Sequence, residues 1–191
     1  VVKLAAAAER RVAEYVGARH AIATSSGTAA LHVALVAAGV KPGDQVIVPA
    51  TTFIATANAV LMCGAEPVIV DVTHQTLGLA FMPPGRGRYI LPVHAYGHPA
   101  HSFEQYGLLI EDACEALGAE DNGHRVGARG TATLSFNGNT ILTTGGGGMV
   151  LTHDSGLAER VRHLINQAKQ PGDDLVYGPG VNYRMPNVNA A

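Results

Sequence analysis

The sequence has few aromatic residues, no excess of positive charge and no long apolar run. Lysine and arginine together number 13 against 15 aspartates and glutamates, which gives a net charge of −2, and 5% of the 191 residues are aromatic. A chain without a basic stretch lacks the electrostatic signature of a nucleic-acid-binding protein, so we expect no nucleic-acid partner. No apolar stretch is long enough to cross a bilayer, so we expect no membrane partner.

Cysteine is also scarce. The two cysteines, Cys63 and Cys114, lie in different apolar segments. Two thiols without a repeated spacing are more typical of reduced core residues than of a disulfide framework. The alanine-rich start of the chain carries charges at helical spacing, unlike the apolar centre of a secretion signal. These features predict a cytoplasmic protein.

Several common catalytic signatures are missing as well. The sequence contains no GxGxxG dinucleotide motif, no Walker loop and no GxSxG nucleophile elbow. His94, His98 and His101 lie close together, but Gly97 and Pro99 interrupt the helix that would align a pair of them. We therefore predict no metal site.

What the sequence does contain is a regular alternation of strand-like and helical segments. A helix is predicted from Leu4 to Val16, and three strands (HAIAT, DQVIVP, EPVIVDV) then alternate with two helices (GTAALHVALVAAG, FIATANAVLMCG). Further strands are predicted at YILPV, GLLIED, TLSF and GMVLT, with a helix from Leu157 to Ala168. Apolar strands that alternate with helices predict an α/β fold with three layers: a mostly parallel sheet with helices on both faces.

The composition changes near the end of the sequence. Residues 171–191 are rich in glycine and proline, which is typical of a linker. We therefore predict one large domain over residues 1–170 and a linker that leaves it over residues 171–191.

Ligands of open parallel sheets bind beyond the carboxyl ends of the strands, so the residues after each strand are the first candidates for a site. Gly27 and Thr28 follow the first strand and open a helix, where backbone N–H groups can bind an anion. A serine-capped helix with close packing is the alternative interpretation. Phe53 follows the second strand and can either stack on a planar ligand or pack in the core.

Two further segments carry candidate groups. Glu111 and Asp112 end a strand, where a carboxylate can hold a protonated ring nitrogen or a metal, or can cap a helix. Four consecutive glycines, residues 145–148, lie between two β-rich runs, shortly after Thr140. A phosphate site, a stacking aromatic, a strand-end aspartate and a glycine-rich turn together suggest a phosphorylated aromatic ring with a nitrogen, such as pyridoxal 5′-phosphate (PLP).

These motifs, in this order, resemble the DegT/DnrJ/EryC1/StrS family of nucleotide-sugar aminotransferases, which have PLP fold type I. The resemblance rests on TSSGTAAL, PATTFIATANAV, ILPVHAYGHPA, IEDACEALGA, SFNGN, TTGGGGMVLT and GVNYRMPNVNAA, and it spans nearly the whole chain. The SFNGN and TTGGGG segments are most similar to the branch that acts on UDP-linked 4-keto-6-deoxy acetamido sugars. The resemblance implies a PLP-binding large domain over residues 1–170 and the truncated start of a small C-terminal domain within residues 171–191.

The resemblance also implies a function and a set of cofactor contacts. The function is transamination of a nucleotide-linked 4-keto-6-deoxy sugar by an amino-acid donor, with PLP or pyridoxamine 5′-phosphate (PMP) as cofactor. Gly27 and Thr28 would hold the cofactor phosphate through their N–H groups, together with the Ser135 hydroxyl. Phe53 would stack on the pyridine ring.

The other implied contacts concern the ring substituents and the neighbouring subunit. Asp112 would pair with the pyridinium nitrogen, and Glu115 would lie near the phenolic oxygen of the ring. Asn182 would reach the phosphate of a second subunit, which implies a homodimer with shared active sites. The glycines at 145–148 would let the backbone pass close to cofactor and substrate.

The sequence departs from the family at the catalytic position, where Thr140 replaces the lysine that bonds to the cofactor and moves the proton. The lysines of the chain, Lys3, Lys41 and Lys169, match no part of that motif. A threonine hydroxyl neither forms the covalent bond nor serves as the general base, so we expect impaired catalysis. The alternatives are a PMP-dependent protein related to the sugar dehydratases, a non-catalytic cofactor- or sugar-binding protein or dimerisation partner, and a fragment that folds poorly.

Two connections are shorter than the family pattern. They lie between Asp71 and Leu91 and between Pro99 and Leu108. Parallel strands normally need a dozen or more connecting residues, so we expect thinner cover over one face of the sheet. The small domain that closes the family's active site is expected to be missing after Ala191.

Overall fold

The computed structural model describes residues 3–83, 88–100, 107–169 and 178–191. The first described element is helix α1 (Lys3–Val16). The predicted alternation of strands and helices follows it, with β1 (His20–Thr24), α2 (Gly27–Ala37), β2 (Gln45–Pro49), α3 (Ile54–Met62) and β3 (Glu66–Val70). The second part of the chain contains β4 (Tyr89–Ile90), a 3₁₀ turn (Ala95–Gly97), β5 (Leu108–Asp112), β6 (Glu120–Asp121), β7 (His124–Arg125), β8 (Thr131–Ser135), β9 (Gly148–Thr152), α4 (Ser155–Ile165) and α5 (Asn187–Ala190).

Seven strands form one mixed sheet in the order β1-β9-β8-β5-β4-β2-β3. The neighbouring strands are parallel in the pairs β8–β5, β5–β4, β4–β2 and β2–β3. Strand β9 is antiparallel to both of its neighbours, β8 and β1. Strand β1 therefore points the same way as β8, and β9 alone is reversed within this sheet. The predicted mostly parallel α/β sheet is confirmed.

Helices lie on both faces of the sheet. On one face, α2 packs against α3, α4, β8 and β9, and the apolar cluster there includes Ile22, Val48 and Val150. On the other face, the end of α1 packs over Ala21 and Leu151. Successive strand residues point to opposite faces, so one apolar strand contributes to both clusters. The predicted three-layer arrangement is confirmed.

The outer edge of β1 is satisfied by side chains and by the end of the chain. Glu9 Oε1 accepts a hydrogen bond from the Ala23 N–H at 2.8 Å, and the Arg162 guanidinium donates to the Ala21 carbonyl at 3.0 Å. Glu9 and Arg162 also bind each other at 3.1 Å. Just beyond the strand, the Ser25 N–H donates to the Tyr183 carbonyl at 2.8 Å.

The last long helix ends earlier than the sequence predicts. Asp154 caps the start of α4 by accepting from the N–H groups of the second and third residues after it. The helix ends at Ile165, and not at Ala168, because Gln167 and Ala168 have left-handed φ angles of 60° and 54°. The YILPV strand is also shorter than predicted, with ladder pairing only at residues 89–90.

The shortened connection after β3 contains no helix in its described residues, 71–83 and 88–91. Leu79 and Met82 pack instead on the apolar cluster formed by Ile47, Val70 and Ile90.

The second shortened connection falls mainly on residues 101–106, outside the described ranges. The predicted domain boundary at residue 170 also lies at the start of a segment outside them, so it stays a prediction. Across the described residues, no helix has both the length and the apolarity to cross a membrane.

Candidate active site

A cavity of about 230 Å³ lies at the carboxyl ends of β1, β2, β5 and β8. Because these strands are parallel, the segments that follow them meet at one edge of the sheet. The cavity brings together seven of the eight residues that the sequence singles out, which are Gly27, Thr28, Phe53, Asp112, Glu115, Ser135 and Thr140. Its other lining residues include Ser26, Thr52, Cys114, Asn137 and Asn139.

The start of α2 forms one wall. Ser26 Oγ caps the helix by accepting from the Ala29 N–H at 3.0 Å, whereas the N–H groups of Gly27 and Thr28 have no partner among the described residues. A Cβ on Gly27 would lie 2.8 Å from the Ser135 Cβ, so only glycine allows this approach. The two free N–H groups and the Ser135 hydroxyl are thus adjacent, and the positive end of the helix dipole faces the cavity.

Phe53 precedes the first residue of α3 and is 63% exposed. An aromatic side chain that packs in a core is largely buried, so the core-packing interpretation of this residue is wrong. Its ring lines the cavity and keeps a free face.

Asp112 supplies a buried carboxylate at the base of the cavity. Its side chain accepts hydrogen bonds from the Thr56 hydroxyl at 2.7 Å and from the Cys114 N–H at 3.2 Å. The Thr56 hydroxyl is in turn 2.6 Å from that of Thr52. The helix-capping interpretation of Asp112 is wrong, because β5 is followed by turns at residues 113–119 and not by a helix. The carboxylate therefore keeps acceptor capacity for a group in the cavity.

Behind Asp112, on the opposite face of the sheet, His94 binds the neighbouring carboxylate. His94 Nε2 lies 3.1 Å from Glu111 Oε2, and Glu111 also accepts from the Gly127 N–H. His94 Nδ1 accepts from the Ala100 N–H at 2.9 Å, so the ring hydrogen is on Nε2 and is donated to Glu111. Among the described residues, no group of three potential ligands is placed to hold a metal. His101 lies outside those residues.

Glu115 is held at the cavity wall by a tight turn. Its Oε2 accepts from the Tyr96 N–H at 2.9 Å. Tyr96 and Gly97 both have left-handed φ angles, of 53° and 81°, so the chain turns sharply just after this N–H. The Glu115 carboxylate is therefore oriented by one backbone hydrogen bond.

Thr140 lies in the wall of the same cavity, but its hydroxyl is engaged in its own turn. The Thr140 Oγ1 is 2.9 Å from the carbonyl oxygens of both Asn137 and Leu142. Carbonyl oxygens accept hydrogen bonds, so the single hydroxyl hydrogen is committed to this turn. The cavity lining contains no lysine or arginine within the described ranges, and its charged residues are Asp112 and Glu115.

The four glycines are absent from the described lining of the cavity, and Gly148 alone of them packs closely against backbone atoms beside it. A Cβ on Gly148 would lie 2.3 Å from the Ser26 carbonyl oxygen and 2.7 Å from the Gly27 nitrogen. Gly147 has a φ of 143°, and Gly145 has a φ of 76°. Gly146 has neither constraint, since its nearest neighbour would be a side-chain nitrogen at 3.9 Å. Gly148 lets β9 start against the helix that carries the free N–H groups.

Asn182 is the predicted site residue that does not line the cavity. It is exposed and borders a separate groove of about 500 Å³ with Glu9, Arg162 and Arg184. Its implied contact with a second subunit stays a prediction.

Sequence reasoning missed the residues that support Asp112. Thr52 and Thr56 are four residues apart across the start of α3, which is the spacing that places two side chains on one side of a helix. From the sequence alone, that spacing could have indicated that the two hydroxyl groups lie side by side. The hydrogen bond from Thr56 to Asp112 spans 56 residues, and no local pattern indicates it.

Both thiols should be unreactive in the folded protein. Burial, and next the charge of Asp112, raise the pKa of the Cys114 thiol well above its usual range. Burial raises the pKa of the Cys63 thiol to about 11, so roughly one Cys63 thiol in a thousand is ionised at about pH 8. We expect iodoacetamide to leave both cysteines unmodified at that pH and to alkylate both in denaturant, as read by mass spectrometry. Equal alkylation rates of Cys114 in the folded and in the denatured protein would contradict the described packing of the cavity base.

Comparisons with known proteins show the family and the fold of this chain. The family model described as "DegT/DnrJ/EryC1/StrS aminotransferase family" matches residues 3–191. A curated relative, GDP-perosamine synthase of Caulobacter vibrioides, is 46% identical over 96% of this chain and 53% of its own length. The chain thus spans about half the length of the curated relatives that it matches.

Solved structures show the same fold. S. venezuelae DesV superposes with a TM-score of 0.92 at 36% identity, covering 100% of this chain and 55% of that one. NtdA from Bacillus subtilis, solved with bound cofactor PMP, gives a TM-score of 0.85 at 34% identity and covers 98% of this chain and 46% of that one.

Proposed function

This chain belongs to the DegT/DnrJ/EryC1/StrS aminotransferase family, and from that premise we propose that its cavity binds PLP or PMP without a covalent bond. Enzymes of the family use PLP, and one structural neighbour holds PMP. The observation that carries the proposal is the convergence of Gly27, Thr28, Ser135, Phe53 and Asp112 on one cavity.

The residues present fit this cofactor at each of its polar ends. The free N–H groups of Gly27 and Thr28 and the Ser135 hydroxyl are donors suited to a phosphate. Asp112 is 5% exposed and is positioned by Thr56, so its carboxylate suits a protonated ring nitrogen.

The proposed roles of the side chains follow from this fit. When bound, the cofactor supplies a protonated ring that withdraws electrons. Asp112 would hold the proton on the ring nitrogen, and the Thr56 hydroxyl would fix the direction of that carboxylate. Phe53 would cover one face of the ring and exclude water from it.

We further propose that this site belongs to a nucleotide-sugar aminotransferase whose transamination is impaired. Proton transfer needs a base with a pKa near the working pH, and a threonine hydroxyl bonded within its own turn at 2.9 Å does not meet that need. The family resemblance supports a nucleotide-linked 4-keto-6-deoxy sugar as the substrate, with an amino acid as the amino donor, and the name of the C. vibrioides relative supports GDP as the nucleotide. The resemblance to the UDP branch is the alternative. A non-catalytic cofactor-binding role is favoured if Thr140 abolishes turnover altogether.

We also propose a homodimer and a cytoplasmic location. The exposed side chain of Asn182, on a groove apart from the cavity, supports a role toward a second subunit. The two free cysteines support a reducing compartment. Light scattering during size-exclusion chromatography, with and without PLP, tests the dimer.

Titration with PLP and with PMP tests cofactor binding, read by circular dichroism in the cofactor's absorption band. We expect a saturable induced signal with each ligand. Asp112→Asn keeps the side-chain volume and the acceptor for Thr56 but removes the charge, so we expect affinity for both ligands to fall about tenfold.

The matched control is Asp121→Asn, which removes an exposed carboxylate outside the cavity. This control should bind both ligands like the unmodified chain. Absence of an induced signal from the folded, unmodified chain would overturn the proposed function. Equal affinity of Asp112→Asn and the unmodified chain would overturn the role of Asp112.

A further inference from the structure

We propose that Glu115 makes this cavity selective for the amine form of the cofactor, PMP, over the aldehyde form, PLP. This inference rests on the proposed function. It goes beyond that function by stating which of the two cofactor forms the cavity binds more tightly and which residue causes the preference.

The first observation is the charge of the cavity. Its charged lining residues among those the structure describes are two acids, Asp112 and Glu115. PLP and PMP share the phosphate and the ring nitrogen, so the helix N-terminus and Asp112 interact alike with both. The two ligands differ at one substituent, which is a neutral aldehyde in PLP and an alkyl amine in PMP. Alkyl amines are protonated at neutral pH, so PMP brings a positive charge that PLP lacks.

The second observation is that Glu115 is pre-positioned. The hydrogen bond from the Tyr96 N–H at 2.9 Å orients one carboxylate oxygen, Oε2. The other oxygen, Oε1, has no partner among the described residues. A carboxylate that is already ordered loses little entropy when it binds a cation, so more of the attraction appears as affinity.

The third observation is that the cavity lining, among the residues the structure describes, has no lysine. A lysine would favour the aldehyde by bonding to it, but the family's lysine position is occupied by Thr140. Its hydroxyl is committed to the carbonyl oxygens of Asn137 and Leu142. Thr140 therefore offers the aldehyde no covalent bond and no free hydroxyl hydrogen, whereas the amine gains the field of Glu115.

The test compares three ligands by equilibrium titration: PMP, PLP and pyridoxine 5′-phosphate, which has a neutral hydroxymethyl group at the differing position. We expect PMP to bind about tenfold more tightly than either of the others, as a single additional charge contact provides. In Glu115→Gln, the amide oxygen still accepts from the Tyr96 N–H, but the charge is gone. This variant should bind all three ligands within about twofold of one another.

The matched control is Glu159→Gln, an exposed residue of α4 outside the cavity, which should keep the full preference. If all three ligands bind the unmodified chain equally, the selectivity is refuted while the proposed function stands. If none binds, the proposed function itself fails. A preference for PMP that survives Glu115→Gln would refute the role of Glu115. Thermal unfolding of each variant without ligand verifies that the compared proteins are folded.

Discussion

The Thr140→Lys variant is expected to bind PLP covalently, whereas the unmodified chain holds PLP only reversibly. Thr140 lies in the wall of the cavity that contains the phosphate-binding donors and Asp112, so an amine on a longer side chain enters the same space. After reduction with borohydride and denaturation, we expect the variant to retain close to one PLP per chain and the unmodified protein to retain none. Intact-protein mass spectrometry measures this difference directly.

The matched control for this experiment is Thr140→Met, which has a long side chain without an amine. It should retain no cofactor after reduction, because the covalent bond needs a nucleophilic nitrogen. Attachment in Thr140→Met, or in the unmodified chain, would place the reaction at Lys3, Lys41, Lys169 or the α-amino group of the protein, and peptide mapping would identify which. Failure of Thr140→Lys to attach PLP, in a folded protein that binds PLP reversibly, would contradict the position assigned to residue 140.

The Gly148→Ala variant is expected to lose about 3 kcal/mol of unfolding free energy, through the cost of overpacking. The added Cβ would lie 2.3 Å from the Ser26 carbonyl oxygen and 2.5 Å from its carbon. These are backbone atoms, so they cannot turn aside as a flexible side chain does. Either β9 or the start of α2 must move. Urea denaturation of both proteins, followed by circular dichroism, gives the difference.

Gly146→Ala is the control from the same glycine run, because its added Cβ meets a single side-chain atom at 3.9 Å. It should unfold at nearly the same urea concentration as the unmodified chain. Equal stability of both variants would show that Ser26 and Gly148 are not packed as described. A loss in Gly148→Ala should also weaken PLP binding, because the displaced segment carries the Gly27 and Thr28 N–H groups.

The alternation of strands and helices was predictable because short apolar runs and glycine stops are local signals. Gly27, Phe53 and Asp112 could be chosen from sequence because residues after parallel strands converge at one edge, whereas Ser135 was chosen through the family resemblance. The position of β1 was not predictable: it lies beside β9, more than 120 residues away in the chain, and pairing over that distance leaves no local pattern.

The contacts that position the site residues could not be predicted from the sequence either. Glu115 is bound by the Tyr96 N–H, 19 residues away, in a turn where Tyr96 has a left-handed φ that bulky residues rarely adopt and that sequence patterns do not predict. Gly148 looked like a residue that makes room for a ligand, but its contact is with the backbone of Ser26. Residues chosen by resemblance therefore meet at one cavity, while the contacts that position them became known only from the fold.

The side chains along the outer edge of β1 also bear on how copies of this chain behave at high concentration. An unpaired strand edge is a template on which another chain can add a strand, and repetition of that step builds fibrils. Here the Ala23 N–H is taken by Glu9, and the Ala21 carbonyl is taken by Arg162. Two oppositely charged side chains thus make the hydrogen bonds that a neighbouring strand would make. An incoming strand would have to displace both side chains before it could add to this edge of the sheet.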